Sequence, residues 1–175
     1  MIRLILGGAR SGKSRLAEQL ARASGREVTY IATAQAHDDE MQARIQRHRD
    51  ERPAHWQTLE EPLALAATLL ARQAPEHCLL IDCLTLWTTN QLLAGADMAA
   101  EREALCAALQ NARGEILLVS NETGMGVVPM GELSRRFSDE AGWLNQAVAA
   151  LADQVVLTVA GIPLVIKGPP LEPGV

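Results

Sequence analysis

The chain has 175 residues, the length of one compact domain, and such a domain buries roughly 70% of its unfolded surface. Its 16 Lys and Arg against 21 Asp and Glu leave a net charge of −5, and it holds only three Trp, one Tyr and one Phe. That acidity and that scarcity of stacking side chains count against a nucleic-acid partner, while 48% hydrophobic residues exclude a disordered or fibrous chain.

Apolar runs alternate with helical stripes, the pattern of an α/β fold with a mostly parallel sheet flanked by helices in a single domain. Residues 2–6 read as a buried strand and 14–24 as a helix, with Gly25 placed to terminate it. Residues 28–32 form a second strand. Residues 38–51 read as a helix, acidic in the first turn and arginine-rich towards the end, as the helix dipole favours. An extended piece at 56–59 leads to a helix at 63–72, a short apolar strand at 78–82, and helices at 84–93 and 99–111. A fourth strand, 116–120, precedes a glycine-containing loop, 121–129. In the long helix that follows, Leu133, Phe137, Ala141, Leu144, Val148 and Leu151 recur at three- and four-residue steps, predicting one continuous face against the sheet. Strands at 155–159 and 164–166 close the sheet. Residues 1–167 are expected to form the domain and 168–175, with three prolines, a mobile tail.

Cys78, Cys83 and Cys106 form no Cys-x-x-Cys pair, so reduced thiols in a cytoplasmic protein are the expectation. Residues 1–6 lack the apolar core of a signal peptide. The apolar stretch 147–166 is broken by Asp153, Gln154, Gly161 and Pro163, so no transmembrane segment is expected.

Gly7-Gly8-Ala9-Arg10-Ser11-Gly12-Lys13-Ser14 fits the phosphate-binding loop, G-x-x-x-x-G-K-[ST], in its required strand–loop–helix setting. Glycines let backbone N–H groups wrap a phosphate chain, Lys13 reaches the outer phosphates, and the Ser14 hydroxyl ligates Mg²⁺. Asp82, ending the run Leu79-Leu80-Ile81, supplies the carboxylate such a loop needs for the metal shell; its other reading is a helix N-cap. Met41, Ile45 and His48 share one face of the helix 38–51, with Arg44, Arg47, Arg49 and Arg52 around them. Guanidinium forks match phosphate oxygens, and neighbouring positive charge favours the neutral imidazole that can attack phosphorus. A structural histidine beside a solvated charge run is the competing reading. The loop 121–129 follows a strand, so Asn121 and Glu122 sit where open α/β sheets bind ligands, as acceptor contacts or as parts of a tight turn.

Together these blocks, G-G-A-R-S-G-K-S-R, Y-I-A-T-A, D-D-E-M-x-x-R-I-x-x-H-R, R-P-x-x-W-x-T-x-E, L-I-D-C-L-T and N-E-x-G-x-G-x-V-P, resemble one family across residues 2–167. That family is the bifunctional adenosylcobinamide kinase/adenosylcobinamide-phosphate guanylyltransferase of cobalamin biosynthesis. The resemblance implies a RecA-like P-loop fold and a two-step transferase that uses ATP and GTP with Mg²⁺ on adenosylcobinamide, a corrinoid. It implies His48 as the guanylylated residue, and nucleotide contacts at Gly7, Gly8, Ala9, Arg10, Ser11, Gly12, Lys13, Ser14, Ala32, Thr33, Ala34, Arg49, Asp50, Glu51, Arg52, Glu60 and Asp82. It also implies a homo-oligomer, a trimer. A carboxylate can accept guanine's N1–H and N2 amino group, so Glu60 or Glu61 can discriminate; the resemblance favours Glu60.

Three other readings compete. A regulatory GTPase needs N-K-x-D, yet Asn90, Asn111, Asn121 and Asn145 are never followed by Lys, and Asp139-x-x-Gly142 lies inside a helical stripe. A one-step P-loop kinase of a small molecule, or a non-catalytic nucleotide-dependent regulatory module, would need no histidine nucleophile.

Overall fold

The computed structural model describes residues 1–35, 42, 43, 46, 49 and 52–172. Seven strands make one sheet in the order β3-β2-β4-β5-β1-β6-β7. They are β1 (Ile2–Gly7), β2 (Glu27–Ala32), β3 (Gln57–Glu60), β4 (His77–Asp82), β5 (Glu115–Asn121), β6 (Gln154–Val159) and β7 (Ile162–Lys167). All pairings are parallel except β6 with β7, an antiparallel hairpin. One strand, β5, stands between β1 and β4, the RecA-like order of a P-loop α/β domain.

Five helices are complete among the described residues: α1 (Lys13–Ala23), α2 (Leu65–Arg72), α3 (Leu84–Leu93), α4 (Met98–Gln110) and α5 (Glu132–Leu151). Gln42, Ala43, Gln46 and Arg49 carry helical backbone; most of the expected helix 38–51 lies outside the described residues.

Strands buried on both faces read as continuous apolar runs, because each alternate side chain still meets a helix. Leu4, Leu79, Ile81, Ile116 and Leu118 share one cluster with residues of α2, α3, α4 and α5. Ile5, Leu80, Leu117, Val119 and Val156 face Leu16, Ala17, Leu20 and Ala21 of α1 on the other side. At the amino edge of the sheet, Glu115 is 6% exposed and pairs with Arg3, with Arg26 3.8 Å away.

The stripe on α5 is only partly a core face. Ala141, Leu144 and Val148 are buried, but Leu133 is 57% exposed. The helix outruns the sheet: Asn145 Nδ2 donates to the carbonyl of Asn121, the last residue of β5, at 3.1 Å. Residues 132–144 therefore run about 20 Å along the helix axis away from that contact. Leu133, Ser134 and Phe137 there line a groove of about 230 Å³ with Thr89, Leu92 and Leu93 of α3. Beyond β7, Gln154 Nε2 donates to the Pro169 carbonyl at 2.6 Å and Leu171 packs against the α1-side cluster.

Candidate nucleotide site

The parallel strands bring the carboxyl ends of β1, β2, β4 and β5 to one edge. The phosphate loop turns there between β1 and α1. Gly7 has φ +154°, and a Cβ on it would lie 2.4 Å from the Thr158 carbonyl oxygen and 2.5 Å from Ser11 Oγ. Gly12 has φ +98° and lies against Gly161. The Gly161 amide donates to the Ser11 carbonyl at 2.9 Å, so the β6–β7 hairpin turn buttresses the loop. Free amides at the start of α1 and the helix dipole make this end a cradle for anions. Lys13 is 7% exposed and donates through Nζ to the Gly8 carbonyl at 2.6 Å. Burial holds its pKa below the ordinary lysine range, partly opposed by Cys83 and Asp82. Ser14 follows, half-buried, and Ser11 Oγ is buried without a hydrogen-bond partner among the described residues.

Asp82 ends β4 in register with Ala32 of β2. Its Oδ2 accepts from the hydroxyl of Tyr30 at 2.9 Å. The guanidinium of Arg52 lies over the Tyr30 ring, 3.3 Å from its centroid. Burial above all, with Asp82 next, drives the Tyr30 pKa far upward, so its hydroxyl stays a donor. Thr33, fully buried, pins the strand ends: its Oγ1 donates to the Cys83 carbonyl at 2.7 Å and accepts from the Cys83 amide at 2.8 Å. Ala34 is half-buried beside it. Asp82 thus accepts no helix-cap bond; the capping reading falls. Desolvation pushes the Cys83 thiol up to about 11 and the Cys78 thiol to about 12, and all three cysteines are free.

Among the described residues no group of three or more His, Cys, Asp or Glu could hold a metal by itself. Ser14 and Asp82 instead suit Mg²⁺ that shares its shell with phosphates and water, the usual habit of that ion.

The two candidate guanine readers separate cleanly. Glu61 Oε1 accepts from the amides of Leu63 at 3.0 Å and Ala64 at 2.7 Å, tying down the entry to α2. Glu60 at the end of β3 is exposed, with the Arg49 guanidinium 3.9 Å away. His48, Asp50 and Glu51 lie outside the described residues; Arg49 and Arg52, which flank Asp50 and Glu51 in sequence, are described. Arg10 stands exposed at the loop tip with φ +55°, beside Ala9 and Gly8.

Asn121 pairs in register with Gly7, and the Glu122 amide donates to the Gly7 carbonyl at 3.1 Å. The acceptor-loop candidates therefore adjoin the phosphate loop. The Glu122 carboxylate also accepts from the Gly124 amide at 3.0 Å, so the tight turn is present too. Sequence reasoning passed over Tyr30, whose place in an apolar run signals only core, and over the hairpin turn at Ala160-Gly161.

Among proteins of known sequence, the chain is 64% identical over 170 residues to the bifunctional adenosylcobalamin biosynthesis protein CobP of Pseudomonas aeruginosa, covering 96% of this chain and 98% of that one. It is 46% identical over 182 residues to the bifunctional adenosylcobalamin biosynthesis protein CobU of Salmonella typhimurium, covering 95% and 100%. A solved protein from Pyrococcus horikoshii superposes with a TM-score of 0.55 at 8% identity, over 95% of this chain and 86% of that one, a likeness of fold alone. The family model described as cobinamide kinase / cobinamide phosphate guanyltransferase matches residues 3–166. With the phosphate cradle and its carboxylate in place and nearly the whole length matched, the chain belongs to the cobinamide kinase / cobinamide phosphate guanyltransferase family.

Proposed function

We propose that one phosphate loop serves two transfers in turn, with His48 carrying GMP in the second. The chain is a bifunctional cobinamide kinase and cobinamide phosphate guanyltransferase of adenosylcobalamin biosynthesis. In the kinase step the aminopropanol hydroxyl of adenosylcobinamide attacks the γ-phosphorus of ATP or GTP, and the nucleoside diphosphate leaves. In the guanylyl step a His48 nitrogen attacks the α-phosphorus of GTP and pyrophosphate leaves. An oxygen of the new cobinamide phosphate then attacks the same phosphorus, and the N–P bond breaks to free His48 and give adenosylcobinamide-GDP.

One observation carries this reading: a glycine-walled loop, Gly7 to Ser14, holds a buried Lys13 beside Asp82. Lys13 and the loop amides bind the phosphate chain and stabilise charge as it develops. Ser14 and Asp82 would hold Mg²⁺, which when bound would neutralise phosphate oxygens. Arg49 and Arg52, with Arg44 and Arg47 on the other side of His48 in sequence, neutralise the departing pyrophosphate. Glu60 reads guanine, since Glu61 is committed to two backbone amides. Asn121 and Glu122 begin the acceptor site, supported by their bond to Gly7 and by the apolar walls of α3 and α5 on the same edge. A homo-oligomer is supported by the edge strand β7, where Ile162, Leu164 and Ile166 are exposed on one face. No helix among the described residues is long and apolar enough to cross a membrane. The free thiols suit the cytoplasm.

The test is covalent labelling with GTP carrying a labelled α-phosphate. Wild-type protein is expected to form an adduct labile in acid and stable in alkali, as a phosphoramidate is. His48→Ala is expected to abolish labelling and guanylyl transfer while part of the kinase activity survives. Label persisting on His48→Ala, or mapping to His55 or His77 in the wild type, overturns the assignment.

A further inference from the structure

Tyr30 is the single tyrosine of the chain, 3% exposed, on the face of β2 that meets α1. Nothing in the two transfers above uses it. Yet its hydroxyl donates to Asp82 at 2.9 Å, and its ring carries the guanidinium of Arg52. Asp82 ends the strand beside the phosphate cradle; Arg52 belongs to the segment that holds His48, four residues earlier. One buried side chain therefore touches both halves of the chemistry.

We infer that Tyr30 is a positioning residue with two separable jobs. Its hydroxyl fixes the Asp82 carboxylate for the metal ion, and its ring seats Arg52. The inference rests on the two-transfer reading and adds a residue to it.

The first job follows from geometry. A carboxylate at a strand end can rotate about its χ angles, and a hydrogen bond from a buried, rigid ring removes that freedom. One oxygen is committed to Tyr30, which leaves the other for the metal. Partners that orient a metal-binding carboxylate are worth 10–100-fold in metal affinity or activity, of order. The second job follows from the stack. Arg52 Nε is buried with no hydrogen-bond partner among the described residues, and the ring face lies against that guanidinium as a cation–π partner. Stacking needs a planar guanidinium, which an ammonium does not supply.

The two jobs predict different failures. In Tyr30→Phe the ring and the stack remain and only the hydroxyl is lost. The Mg²⁺ concentration at half-saturation is expected to rise about 10-fold in both reactions. By calorimetry, GTP binding should weaken in Mg²⁺ but not in EDTA. In Arg52→Lys the charge remains and the stack is lost. The plateau rate of His48 labelling is expected to fall about 10-fold, with a much smaller fall in the kinase plateau. Melting curves on both variants verify that each is folded.

A Tyr30→Phe protein whose Mg²⁺ half-saturation and calorimetric difference match the wild type removes the first job. An Arg52→Lys protein that labels at the wild-type rate, or loses both plateaus equally, removes the second. Failure of the two-transfer reading looks different. It shows in the wild type, as no adduct on His48 or no dependence on Mg²⁺.

Discussion

Glu60 and Glu61 are neighbours of identical chemistry, and only their surroundings divide their work. Glu61 accepts two amides at the entry to α2, so Glu61→Gln is expected to lower the melting temperature by a few degrees while leaving the preference for GTP over ITP intact. Glu60→Gln replaces one acceptor with a donor facing guanine's own donors. GTP labelling should weaken about 10-fold or more, and discrimination against ITP, which lacks the N2 amino group, should fall with it. Competition labelling with the two nucleotides separates these outcomes. Glycine and lysine spacing made Gly7, Gly12 and Lys13 legible beforehand, because a cradle for phosphate demands those residues in order. Tyr30 was not legible. An aromatic residue in an apolar strand reads as core, and its partner Asp82 lies 52 residues further on, where no local pattern connects them.

At the scale of elements, strands were read well because a sheet covered on both faces demands continuous apolar runs. Residues 84–93 match α3 from end to end. α4 starts one residue before the sequence reading, at Met98. Asp97 caps it, accepting from the amides of Ala99 at 3.0 Å and Ala100 at 3.2 Å, and Asp is a favoured residue at that position. The stripe of α5 predicts more core than the structure holds, since periodicity reports which residues share a face and not how far the sheet beneath them extends. The pairing of Arg3 on β1 with Glu115 on β5 was invisible for the same reason as Tyr30: the partners are distant in the chain. Both side chains are largely buried, so Glu115→Ala strands a cation in a poor solvent. The expected cost is about 3 kcal/mol or more, roughly a 6–12 °C fall in Tm for a chain of this size. Differential scanning calorimetry reads it. His48 labelling at low temperature should survive, because the pair sits at the opposite edge of the sheet from the cradle.

For the molecule as a whole, nucleotide and fold are one equilibrium. A ligand at 100 times its Kd that binds only the folded state adds about 2.7 kcal/mol, so Mg²⁺–GTP should raise Tm by roughly 5–10 °C. Lys13→Ala should remove most of that shift, and a variant that keeps it would place the nucleotide elsewhere. The seat of the phosphate loop also fixes when the protein first becomes competent. Within this domain Lys13 is made early, but the walls that shape its loop are Thr158 and Gly161 on the β6–β7 hairpin, and β1 is flanked by β5 and β6. About 150 residues separate Lys13 from Gly161, on the order of ten seconds of translation. Through that interval the emerging chain has no finished anion cradle, so GTP cannot act as a template for its early half. The nucleotide meets the protein only once the ribosome has made nearly all of the domain.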